Sequence, residues 1–110
     1  MAYDEELANR VREHVENEKG LTEKRMFGGL AFLINGHLAV SASGRGGLLL
    51  RVDPADTDNL LTDSRARPFQ MRGREMNGWL HLDANGMVTE DELAQWIDRG
   101  VSYARSLPPK

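Results

Sequence analysis

The chain has 110 residues, no cysteine and a formal net charge of −3. That length suits one domain able to bury its own core, and the missing cysteine excludes disulfides, thiolate metal sites, a cysteine nucleophile and thiol redox chemistry. Residues 1–7 hold three acids and no base, and the longest apolar run, Leu30 to Ile34, is five residues, so neither a secretory signal nor a membrane span is expected and the protein reads as cytoplasmic.

Asp4 ahead of Glu5-Glu6 is an N-cap with acids in the first turn, and Leu7, Ala8, Val11 and Val15 recur at helical spacing. A first helix is predicted over about 4–18, stopped by Gly20. The period then changes. Leu30 to Ile34 runs into Asn35-Gly36, the strongest short hairpin signal, and His37 to Ser43 resumes with apolar and small residues. A glycine-rich turn over 43–47 leads to Leu48-Leu49-Leu50-Arg51-Val52, completing a three-stranded meander, and the leucine triplet suggests a strand covered on both faces. Asp53-Pro54 opens a short helix to about Leu61. Pro68 to Met71 and Gly78 to Leu82 read as the fourth and fifth strands around Arg72-Gly73-Arg74, Asp83 to Gly86 as a turn, and Thr89 with Glu92 as a capping box. The last helix is predicted from about Glu90 to Leu107, with Pro108-Pro109 preventing continuation. The order α-β-β-β-α-β-β-α gives an α+β fold, an antiparallel sheet of about five strands packed against helices, because links this short cannot carry parallel crossovers.

The catalytic and ligand motifs that these residues suggest superficially do not assemble. Gly28-Gly29 and Gly44 to Gly47 lack the lysine and hydroxyl of a phosphate loop and the spacing of a dinucleotide site. Counted from Asp83, a calcium loop would need glycine and glutamate where Val88 and Ala94 stand. His14, His37 and His81 lie on three separate elements without metal-ligand spacing. Ser41, Ser43, Ser64 and Thr22 sit in no nucleophile elbow, and the carboxylates at 4–6 and 90–92 cap helices. Trp79 and Trp96 read as core. Nothing in the pattern calls for a cofactor or a metal.

Charge is unevenly placed. Residues 1–23 carry seven acids against three bases, whereas 64–74 carry four arginines and no acid. A fold that gathered Arg65, Arg67, Arg72 and Arg74, with Lys24 and Arg25 nearby, would make a basic patch; arginines solvated on a loop and strand edge are the plainer alternative. Gly28-Gly29 in front of the first apolar strand marks a bulge or the close approach of another backbone or ligand.

Three separated stretches, TEKRMFGGLAFLINGHLAV (22–40), RPFQMRGREMNGW (67–79) and WIDRGVSYARSLPPK (96–110), resemble the N-terminal domain of the TfoX/Sxy family. The resemblance covers essentially the whole chain and implies an α+β domain in a stand-alone form. Longer members of that family regulate natural competence together with the cyclic-AMP receptor protein and carry a second, helical C-terminal domain. The family supplies no catalytic residues. The resulting expectation is a non-enzymatic, cytoplasmic regulatory domain that binds another protein, with Lys24, Arg25, Gly28, Gly29, Arg67, Arg72 and Arg74 as the candidate binding residues. Binding of an anion, nucleotide or nucleic acid by the same arginines is the alternative, and a small-substrate enzyme using a histidine or carboxylate in a pocket is the third reading. A homodimer through the sheet edge or the last helix is compatible with this pattern.

Overall fold

The computed structural model describes residues 4–26, 28–44, 46–63, 66–71, 73–83 and 89–108, with backbone only at 71 and 75–77. Helix α1, Glu5–Val15, starts where the Asp4 side chain accepts a hydrogen bond from the Leu7 N–H at 3.1 Å, and it buries Leu7, Ala8, Val11 and Val15. Six strands follow: β1 (Leu21–Met26), β2 (Gly29–Ile34), β3 (His37–Ala42), β4 (Leu48–Arg51), β5 (Ala66–Met71) and β6 (Arg74–Leu82). They form one antiparallel sheet in the order β1-β2-β3-β4-β6-β5. Between β4 and β5, Asp53 caps a 3-10 turn, Pro54–Asp56, that runs into the short helix α2, Thr57–Leu60. Helix α3, Glu90–Ser106, begins with Thr89 Oγ1 accepting from the Glu92 N–H at 3.1 Å.

The α+β class and the element order agree with the sequence, with one added strand. β1 reads LTEKRM and is exposed at all four central positions, so it carries no alternation of apolar and polar residues. An edge strand whose apolar contacts are confined to its ends gives no periodic signal. The Asn35-Gly36 turn does form as expected, with φ of 52° and 87° in a two-residue loop between Ile34 and His37.

The core lies between one face of the sheet and the helices. Leu30, Phe32, Ile34, Val40, Leu48, Leu50, Leu80 and Leu82 meet Val11 and Val15 of α1 and Leu93, Trp96 and Ile97 of α3. α3 crosses β3 and β4 at Gly100, where a β-carbon would meet the Ala39 carbonyl oxygen and come within 3.0 Å of Leu50 Cδ2. A glycine there lets helix and sheet approach more closely than side chains would permit. The opposite face is also largely buried at its centre: Ala31, Ser41 and Leu49 are 0%, 2% and 2% exposed, so the leucine triplet of β4 is covered on both sides as predicted. Ser41 satisfies its hydroxyl there by donating to the Leu30 carbonyl at 3.0 Å. Trp96 is core, whereas Trp79 is half-buried at the margin, tilted against Phe69 with ring centroids 6.3 Å apart.

The two glycines before β2 have separate roles. Gly28 is exposed, has φ +76° and has nothing within 4 Å of an added β-carbon, so it is a turn residue in the link between Met26 and Gly29. Gly29 is buried, and its β-carbon would collide with the Ala42 carbonyl oxygen and sit 3.0 Å from the Gly44 nitrogen. The close neighbour at Gly29 is therefore the protein's own backbone at the end of β3.

Candidate interaction surfaces

The sheet sets the candidate basic residues at its two margins. Lys24 and Arg25 stand on β1, the first strand in the sheet order, and Arg67 on β5, the last. Five strand spacings of roughly 4.8 Å separate those edges, about 24 Å measured across the strands. Lys24 and Arg67 share the face away from the helices, at the two ends of the cross-strand row Lys24, Ala31, Ser41, Leu49, His81, Arg67. Arg25 alternates to the helix face. Arg67 pairs with Asp83, and Arg74 is exposed at the start of β6. Arg65 and Arg72 lie outside the described residues, as does most of the predicted 83–86 turn. Arg51, a central cation, is committed to packing: its guanidinium lies 5.3 Å from the Trp79 ring centroid and 5.6 Å from that of Tyr103, joining sheet to α3.

Each histidine has a structural partner. His14 Nε2 lies 2.9 Å from Glu90 Oε2, His37 Nε2 donates to the Pro108 carbonyl at 2.6 Å, and His81 Nε2 donates to the Gly46 carbonyl at 2.7 Å. Because a carbonyl can only accept, His37 carries its proton on Nε2, which leaves a buried Nδ1 without a hydrogen bond. His14 and Arg10 together hold the Glu90 carboxyl below its ordinary pKa, the His14 hydrogen bond contributing most, and tie α1 to the first turn of α3. Among the described residues no group of three histidines, aspartates or glutamates is placed to hold a metal ion.

What sequence reasoning missed is a groove. The 3-10 turn and α2 stand apart from the second half of α3 and leave a cleft of about 830 Å³. Val52 and Leu60 contribute its apolar part, and Asp53, Asp56, Asp98 and Tyr103 its polar rim together with one cation, Arg99, whose guanidinium lies 4.7 Å from the Trp96 ring centroid. Asp53 is occupied by the Ala55 N–H at 2.9 Å. The carboxylates of Asp56 and Asp98 make no hydrogen bond or ion pair with another described residue, and both line the cleft as exposed groups. The two walls lie 35 residues or more apart in the chain, and the crossing of α3 over β4 brings them together.

The family model for the TfoX N-terminal domain matches residues 13–104 of the chain. The chain belongs to the TfoX N-terminal domain family. The match runs from α1 to the last turns of α3, so both margins of the TfoX-type sheet and its groove lie inside it. No curated protein matches the chain. In this TfoX N-terminal domain no described helix is long and apolar enough to cross a membrane.

Proposed function

We propose that this TfoX-type domain is a non-enzymatic, cytoplasmic interaction domain that binds another protein in a regulatory, transcription-related setting, as its resemblance to competence regulators suggests. The observation that supports this reading best is the groove between α2 and α3. Its two unpartnered carboxylates, with Tyr103 beside them, suit a basic segment of a partner, which would exchange water for charge-assisted hydrogen bonds. The basic residues Lys24, Arg25, Arg67 and Arg74 at the sheet margins would serve acidic parts of the same partner or steer its approach.

The experiment is capture of proteins from lysate at moderate salt, with and without nuclease, by the wild-type domain and by the double variant Asp56→Asn/Asp98→Asn. A protein retained by the wild type in both conditions and lost with the variant, at unchanged melting temperature, supports the reading. Capture that nuclease abolishes would move the assignment to nucleic acid at the arginines. Equal capture by wild type and variant would remove the groove from it.

A further inference from the structure

β1 is a terminal strand of the sheet, and half of its backbone groups point away from β2. The Asn35 N–H donates to the Gly20 carbonyl at 3.1 Å, and Leu21 stands opposite Ile34. In an antiparallel ladder hydrogen-bonded pairs alternate with non-bonded ones. Thr22, Lys24 and Met26 therefore turn their backbone groups toward β2, while Leu21, Glu23 and Arg25 turn theirs outward. No described strand lies beyond β1.

The opposite edge is closed by different means. Proline at 68 has no N–H to offer Leu80, so its backbone faces outward, two residues from Ala66, which faces outward too. The Ala66 N–H is already spent on the Asp63 carbonyl at 3.0 Å. Along this half of β5 an incoming strand would find no free donor, and proline on an edge is a known defence against pairing.

We propose that β1 pairs with β1 of a second copy, antiparallel about a twofold axis at Lys24, so that one sheet runs through both protomers. A strand that meets its own reverse must be complementary to itself. About Lys24, Glu23 comes opposite Arg25 of the second copy and Arg25 opposite its Glu23, so that two ion pairs form on the helix-bearing face. These positions also carry the outward backbone groups, so each Glu23 and Arg25 pair exchanges both N–H···O bonds. Arg12 on α1 already grips Glu23 with two hydrogen bonds of 2.8 Å, holding the carboxylate in place beside the edge. The two Lys24 side chains meet on the other face, where both are exposed and their long stems can diverge. Shifting the axis to Glu23 would oppose two carboxylates and set Arg25 against Leu21, which loses both ion pairs. The contact is a single strand pair, smaller than a standard interface, so the dimer is weak and concentration-dependent. The proposal is independent of the groove.

The chain has no native cysteine, which makes a single introduced thiol informative. At the twofold, residues 24 form a non-hydrogen-bonded pair with Cα atoms about 4.5 Å apart, inside the range of a disulfide. Lys24→Cys in a mild redox buffer is expected to give disulfide-linked dimer at least tenfold above the exposed control Glu5→Cys; equal yields overturn the proposal. Sedimentation equilibrium of the wild type should show a reversible monomer–dimer equilibrium, and a monomer throughout the millimolar range would likewise overturn it. Arg25→Glu, which opposes two acids and leaves the β1–β2 ladder untouched, is expected to raise the dimer dissociation constant at least tenfold at unchanged melting temperature. An unchanged constant would exclude this register.

Discussion

Strands β2, β3 and β4 are buried at nearly every position, fully so in β3, whereas β1 is buried at none. Both belong to the same sheet and pair through the same backbone chemistry. The central strands owe their position to side-chain burial, and the margin owes its position mainly to its backbone ladder, with apolar packing confined to its ends, as at Leu21. Substitution should therefore be costly at the centre through packing and close backbone contacts, and cheap at the margin.

The sharpest break is Phe32→Ala, which removes a ring that is 0% exposed and should cost about 4 kcal/mol in a denaturant titration. Gly29→Ala should follow at about 3 kcal/mol, because the added methyl meets a carbonyl oxygen that cannot move without breaking the β2–β3 ladder. The same change one residue earlier, Gly28→Ala, meets open space and carries only the left-handed backbone cost of about 1 kcal/mol. If the neighbours cost the same, the close approach at Gly29 is not what fixes the pair. At the margin Arg12→Gln removes an ion pair whose partner Glu23 has a 35% exposed side chain, and should cost about 0.5 kcal/mol or less.

Acid sharpens the same contrast. The Arg12 hydrogen bond holds Glu23 below its ordinary pKa of 4.5 against a smaller opposing effect of burial, and Glu90 is lowered likewise. A carboxyl with a depressed folded pKa contributes stability that is present above its unfolded value and is lost as pH falls through the folded one. Melting temperature should therefore decline below about pH 4.5, and part of that decline should vanish in Arg12→Gln.

The central strands were legible because burial on both faces writes continuous apolar runs, as in Leu48-Leu49-Leu50, and because Asn35-Gly36 has local turn chemistry. The long helices were legible from Asp4 and Thr89 as caps and from their stripes. β1 was illegible because Thr22, Glu23, Lys24 and Arg25 are all exposed, and what makes it a strand is chiefly the pairing with β2 beside it. The groove escaped for a related reason: Asp56 and Asp98 are ordinary surface acids in sequence, and their meeting depends on where α3 crosses the sheet. Where Lys24 and Arg25 stand relative to Arg67 was illegible too, because only the sheet order sends β1 and β5 to opposite margins.

That order also bears on how the chain reaches its native state. The first four strands pair strictly in succession, each with its neighbour in sequence, so every closure from β1 to β4 spans a short link. β6 must instead return to β4 across some thirty residues, with the 3-10 turn, α2 and β5 in between, and α3 can dock on β3 and β4 only from the far end of the chain. Closing the longer loops costs more entropy before any contact rewards it. By loop-closure entropy the four-strand meander is the cheapest part of the sheet to form, and joining β6 and α3 to it is the most expensive closure.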